Sequence, residues 1–394
     1  MDFTLTEEQR TWQTKARKFA DEVLRPASLA RDQIEDPRET WDWDIIRAGS
    51  KLGFRTACVP KEWGGHGIDF VTQALVMAEL AKGDSAMSKA FSQCWKWSHL
   101  IALACTQDQK ARFLKPFLDD DTFVLGKGIT EPNAGSDNRL PPEDDPKAGL
   151  RLRAERHGDE WILNGEKCFI ANANVGKLFF VDARTNPNVG VREGTTMFLV
   201  PRDTPGFRSG KVFNKSGWRF YQNAEMIFDN ARVPHANVVG EVGDGSRRGG
   251  DRTGGDLFGD LELAANALGI CESACEMALA RSRTQQRGGR PVIDQQRVAL
   301  DIGRMHMLTE ALRSYVLRVA WEHDQKAHSA NAGLVMNYAT EVVQEVTRLN
   351  LDIHAPSGGA ISARAEKLVR DSIIWTHLAG DNVQRMKVVR RLAR

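Results

Sequence analysis

The hydrophobic period of this chain changes twice, and that constrains its fold more than any single motif does. From residue 6 to about 122, apolar residues recur at helical spacing, in IIRAGSKLGF, FVTQALVMAELAKG, MSKAFSQCWKWSHLIALAC and DQKARFLKPFLDD. From 123 the segments become short and rich in β-branched and aromatic residues: TFVLGKGI, LRLRAERHG, EWILNGEKCFIA, KLFFVDAR, TTMFLVPR and AEMIFDN, bounded by turn residues such as Asn164–Gly165. Helical spacing returns at about 262, in LELAANALGICESACEMALARSR and two further long stretches. A helix buries a stripe and a strand buries alternate residues, so each stretch must find partners of matching period. The order predicts an α+β fold with an N-terminal α-helical domain over 1–122, a middle antiparallel β-domain over 123–240 and a C-terminal four-helix bundle over 241–394. Thr6-Glu7-Glu8-Gln9 is a capping-box sequence and predicts the first helix. Residues 60–67, PKEWGGHG, predict a glycine-rich turn, and 243–260, with seven glycines in eighteen residues, a connection into the bundle.

Charge excludes some functions. Lys and Arg total 54 against 52 Asp and Glu, a net charge of +2, which supplies no field to attract nucleic acid or an anionic membrane. The six cysteines lack metal or redox spacing and read as reduced thiols, the start MDFTLTEEQR has no apolar export segment, and no run of 18 apolar residues appears. A cytoplasmic protein without membrane insertion is expected.

Residues 129–137, ITEPNAGSD, can neither enter a core nor continue a helix through Pro132, so they form a shaped loop. With NGEKCFIA at 164–171, PKEWGGHG at 60–67, DTPG at 203–206, VPHANVV at 233–239 and the C-terminal QR at 384–385, this loop resembles the acyl-CoA dehydrogenase family, in order and over essentially the whole chain. The resemblance implies FAD between the β-domain and the bundle, an acyl-CoA-type substrate against it, electron-transfer flavoprotein as electron acceptor, and a homo-oligomer, dimer or tetramer. Carried over by residue, Ile129, Thr130 and Ser136 would meet the isoalloxazine, Ser136 also the substrate, and Phe169, Ile170 and Ala171 would cover its other edge. Gln296 and Asp381 are further cofactor contacts implied in the same way. No metal is expected, because His99, His354 and His377 have no HxxE or HxxxH companions.

The reaction of this family needs a carboxylate to remove an α-proton while a hydride leaves the β-carbon. Here Leu378 or Ala379 stands at the C-terminal Glu position, and Gly259 and Asp260 stand where another subgroup has Glu-Arg. Asp260 is the acid in register and the candidate base, with Asp256, Glu262 and Asp381 behind it. The residues the family uses across a subunit boundary align with Gln285 and Gly288, although Arg283 and Arg287 lie close. Ala171 replaces the threonine expected beside flavin N5. Alternatives to a self-sufficient dehydrogenase are therefore a base-deficient subunit paired with a paralogue, a flavin monooxygenase, and a non-catalytic scaffold. Trp95 and Trp97 point to different faces of one helix and read as core rather than pocket.

Overall fold

The computed structural model describes residues 4–135, 145–244, 255–326, 332–355, 357–360, 363–378, 385–386 and 389, with backbone alone at 255–260, 332 and 375–378. Helix α1, Glu7–Phe19, opens on the expected capping box: Thr6 Oγ1 accepts the Gln9 amide at 3.2 Å and Gln9 Oε1 accepts that of Thr6 at 2.9 Å. A π-type turn over Ala20–Leu24 carries the chain into α2, Arg25–Asp32, which is followed by α3, Trp43–Lys51. The 60–67 segment is the expected turn, with Gly64 and Gly67 at φ 87° and 57°, a region that glycine enters without Cβ strain. Asp69 and Asp84 then cap α4, Phe70–Gly83, and α5, Ser85–Ala104, through the Thr72 and Met87 amides at 2.7 Å each. Helix α6 starts at Gln107–Gln109, passes a π-type turn and ends at Lys115–Asp119.

Helix α5 is buried nearly all round. Trp95 donates its Nε1–H to Phe54 O at 2.7 Å, and the Trp97 ring lies 5.0 Å from Phe180, so both indoles are core residues as the spacing predicted.

The middle region is one seven-stranded sheet in the order β1-β4-β2-β3-β7-β6, with β5 on the remaining side of β4. The strands are β1 Leu125–Gly128, β2 Arg153–His157, β3 Glu160–Ala171, β4 Leu178–Arg184, β5 Thr195–Pro201, β6 Phe207–Val212 and β7 Asn223–Pro234. Most pairs are antiparallel, but β1 runs parallel to β4, from Leu125↔Leu178 to Gly128↔Val181. Alternation reports which face a residue occupies, not the direction of its neighbour, so this pairing was invisible in the sequence. Asn164–Gly165 is not a turn either. Strand β3 continues through it with a register shift, and Gly165, at φ 131°, packs against Leu152; the reversal falls at Gly158–Asp159, between β2 and β3.

Helix α7, Gly255–Thr284, begins earlier than the expected 262, and residues 245–254 lie outside the described ones. A short hairpin, β8 Gln286–Arg287 with β9 Arg290–Pro291, leads into α8, Gln296–Asp324, then α9, Ala332–His354, and α10, Arg364–Leu378. The segment Leu261–Thr284 is long and apolar enough to span a membrane, yet 72% of that window is buried, because α4, α5, α8 and α9 pack around it.

A buried polar hub ties the three regions together. Lys367 of α10 sits 3.0 Å from Asp84 and 2.7 Å from Asp371, all three almost fully buried. The Asp84 carboxylate also accepts Ser28 Oγ–H at 2.5 Å, and Asp371 accepts Ser85 Oγ–H at 3.1 Å and the Trp218 amide, from the β6–β7 connection, at 2.7 Å. Burial disfavours the ammonium, but Asp371 and Asp84 outweigh it and hold the Lys367 pKa above its ordinary value. Lys367→Met would leave two facing buried carboxylates, and should cost about 3–5 kcal/mol in urea denaturation. The deficit should shrink as pH falls, since either carboxylate can then take up a proton.

Candidate active site

The end of β1 and the C-terminal part of β3 bring the two sequence motifs together. The Cys168 amide donates to Thr130 O at 2.9 Å, which sets Ile129–Thr130 beside Cys168–Phe169. The register of β3 against β7 shifts between Lys167 and Ile170, and Phe169 takes φ 55° there. A bulky residue in the left-handed region is strained and needs support from its surroundings. Support comes from Asn223, whose Nδ2–H donates to Phe169 O at 2.8 Å, and from Phe213, whose ring stacks on that of Phe169 at 4.0 Å and 20°. The bulge throws the Phe169 ring outward: it is 53% exposed, and Ile129 is 36% exposed. Ile170, by contrast, points into the sheet core and is buried, and Ala171 pairs with Asn223.

Buried electrostatics brace this edge. Lys167, wholly buried, pairs with Glu131 at 2.7 Å and donates to Ile129 O at 3.2 Å. The Glu131 carboxylate also accepts the Arg151 and Leu152 amides at 2.6 and 3.0 Å. Burial, partly offset by Glu131, pulls the Lys167 pKa below its ordinary value. Glu131 therefore spends its charge on holding the loop. On the helical side, Lys215 donates to Tyr221 O and Asn223 Oδ1, each at 2.5 Å, and burial pulls its pKa down to about 7. A tricyclic ring needs flat apolar cover beside placed backbone groups, and an outward phenylalanine next to Ile129 and Thr130 fits that need.

The other expected residues fall elsewhere or outside the description. Ser136, Ala379 and Asp381 lie outside the described residues, and only the backbone of Leu378, the last residue of α10, is described. Asp256 and Asp260 lie in the first turns of α7, again as backbone alone. Gln296 is exposed at the start of α8, and among the described residues no hydrogen bond joins it to the β1–β3 edge. Glu262 is buried, and Lys89 reaches its two oxygens at 2.7 and 3.0 Å. Sequence reading missed the roles of Lys167 and Lys89. The signal for Lys89 was present, as a cation in the N-terminal half of a helix whose neighbouring residues are all apolar or small.

Three family models cover the chain in order: the N-terminal domain of acyl-CoA dehydrogenase at residues 6–121, the middle domain at 126–231 and the C-terminal domain at 259–393. The chain belongs to the acyl-CoA dehydrogenase family. It is 30% identical to "Probable acyl-CoA dehydrogenase YngJ" of Bacillus subtilis (strain 168), over 100% of both chains. Among solved structures it resembles butyryl-CoA dehydrogenase from Megasphaera elsdenii, with a TM-score of 0.90, 29% identity and full coverage of both chains. It also resembles a chain from a study of the electron transferring flavoprotein of Acidaminococcus fermentans, with a TM-score of 0.90, 30% identity and full coverage of both chains.

For this family member, Glu131→Gln should strand the Lys167 ammonium and cost about 3–5 kcal/mol in chemical denaturation. The loss should be smaller at pH 9, because Lys167 can shed its proton there more readily than in the unfolded chain.

Proposed function

We propose that the chain is a flavin-dependent acyl-CoA dehydrogenase that oxidises the Cα–Cβ bond of an acyl thioester. The observation that carries this reading is the outward Phe169 on a bulge beside Ile129 and Thr130, in a chain that matches the family over all three parts. FAD, when bound, supplies the hydride acceptor. The chain's own work is to hold and cover it: Phe169 and Ile129 give apolar cover, Thr130 and Ala171 lie along the same edge, and the family resemblance assigns Ser136 to cofactor and substrate. Removal of the α-proton falls to Asp260, the acid in register with a family base position, since both Glu262 oxygens are engaged by Lys89. Gln296, Asp381 and the arginines beside the β8–β9 hairpin would meet the adenosine half of the cofactor, the hairpin doing so from a second copy. The electron acceptor is electron-transfer flavoprotein. All six cysteines are unpaired, in keeping with a cytoplasmic enzyme.

A second reading is favoured by the loss of both family glutamates at Leu378–Ala379 and Gly259: the chain is the base-deficient partner of a paralogue that supplies the carboxylate. One experiment separates the two. Purified protein should be yellow, and an acyl-CoA panel under anaerobic conditions should bleach it without any second gene product. Asp260→Asn should retain FAD and lose bleaching at least a hundredfold. Unchanged turnover removes Asp260 as base, and bleaching that needs a second polypeptide moves the assignment to the heteromer.

Helix α8 supports assembly. Leu300, Met307 and Trp321 are 64%, 54% and 41% exposed and fall on one face of the helix, an apolar stripe suited to a second copy of the chain. Leu300→Glu with Met307→Glu should lower the oligomeric state measured by light scattering.

A further inference from the structure

We propose that Lys215 is a positioning residue for the flavin edge: as a cation it orients the Asn223 amide, and Asn223 in turn holds Phe169 and Phe213 in the arrangement that receives the isoalloxazine. This rests on the flavin-dependent reading and deepens it. Lys215 stands apart from the other inward-turned lysines. Lys82, Lys89, Lys127, Lys167 and Lys367 each meet a carboxylate within ion-pair distance. Among the described residues Lys215 meets none, although the charge of Asp371 on α10 reaches it. The residue as a whole is partly exposed, but its ammonium turns inward: it donates to Tyr221 O and Asn223 Oδ1 at 2.5 Å each and lies 5.4 Å from the centre of the Tyr221 ring. An ammonium turned inward without a counter-ion costs free energy that an apolar side chain would avoid.

The contact with Asn223 decides which way that amide faces. An ammonium has donors only, so it takes the amide oxygen and leaves the Nδ2 hydrogens for the other side, where one goes to Phe169 O at 2.8 Å. Phe169 depends on that donor. It sits at φ 55° in the register shift between Lys167 and Ile170, where regular pairing with β7 is interrupted. With the amide reversed, the Asn223 and Phe169 oxygens would face each other.

The backbone of Asn223 carries the same constraint to the second ring. Its O accepts the Phe213 amide at 2.9 Å, and the Phe213 ring lies on that of Phe169 at 4.0 Å. Lys215 is two residues beyond Phe213 in the β6–β7 connection. One short segment thus supplies the stacking ring, the cation and, at Tyr221 and Asn223, the acceptors that fix the cation in place.

Without a carboxylate partner the proton on Lys215 is held loosely. Burial lowers its pKa to about 7; Asp371 on α10 acts against that shift, and Arg219 of the same connection acts with it. Its hydrogen-bond partners add no charge: β7 presents the Asn223 amide, and burial pushes the Tyr221 phenol well up, so that it stays neutral. An unprotonated amine carries a lone pair and accepts as well as donates, so it no longer distinguishes the amide oxygen from the amide nitrogen. The edge is therefore ordered on the acid side of neutrality and loosens on the alkaline side.

The test is FAD release from the full-length holoenzyme on dilution, read as recovered flavin fluorescence between pH 6 and pH 9. Lys215→Met should weaken FAD binding about tenfold at pH 6. Lys215→Arg supplies a donor-only cation that does not titrate in this range; it should bind FAD within about threefold of the wild type at pH 6 and keep that affinity to pH 9. The wild type should fall about tenfold over the same interval, to the level of the methionine variant. Asn223→Ala should lose as much as Lys215→Met, and the two changes together should cost no more than either alone, because the lysine acts through the amide. Urea midpoints report folding for each variant, and the arginine variant decides the question by its pH profile should the methionine one not fold. If Lys215→Met binds FAD as tightly as the wild type, or if the wild type and Lys215→Arg follow one pH profile, the assignment of Lys215 is overturned while the flavin reading stands. If the wild-type chain holds no FAD at any pH, the flavin reading itself falls and takes this assignment with it.

Discussion

Two helical segments and the stranded one between them are pinned together where one buried ammonium is shared between two carboxylates. Lys367 lies on the last long helix, Asp84 on the junction of α4 and α5, and Asp371 one turn along from Lys367, where it also receives the Trp218 amide from the sheet connection. One cation against two acids leaves the hub a unit negative, and the Met87 and Trp218 amides with the Ser28 and Ser85 hydroxyls compensate by donating to the carboxylates. A satisfied hub of this kind fixes the relative position of its elements, whereas a partly satisfied one would be worse than an apolar contact. Arg370, one helical step from Asp371, adds a second clasp: it pairs with Asp32 at 2.6 Å and donates to Ser216 O at 2.6 Å. The N-terminal helices, the β6–β7 connection and α10 are held in register by charge as well as by the shared hydrophobic core.

The same logic works on a smaller scale at the sheet edge. A regular strand alternates its side chains between faces, and the bulge breaks that alternation, burying Lys167 and Cys168 in succession before the exposed Phe169, at the cost of a left-handed residue. The cost is offset locally by Asn223 and Phe213, and the loop that faces it is anchored by Glu131 and Lys167. The two motifs differ in kind. In one, the acid Glu131 acts as a brace; in the other, the aromatic ring of Phe169 is the exposed group.

Much of this was legible before any coordinates. The two changes of period gave the order of helices and strands, the capping box at Thr6 appeared atom for atom, and Trp95 and Trp97 proved to be core. Three things were not legible, each for a physical reason. Alternation carries no strand direction, so the parallel β1–β4 pair was hidden. Asn-Gly favours both a reversal and a bulge, and only the close approach of Leu152 to Gly165 decides between them. Buried ion pairs join residues far apart in the chain, 173 positions for Lys89 and Glu262, and nothing local in either helix announces the partner.

Buried charges in the helices also bear on how the family's chemistry is deployed here. Leu378, Ala379 and Gly259 carry no carboxylate, and Glu262, one turn beyond Gly259 on the same helix, is buried and ion-paired. A proton-abstracting group must approach the substrate α-carbon with an oxygen to spare, and the Glu262 oxygens are already engaged by Lys89 and Ser92. Its pairing leaves no oxygen free for abstraction of a proton. On the proposed reading, abstraction therefore falls to the start of α7, while the edge that carries Phe169 is braced separately by Glu131 and Lys167.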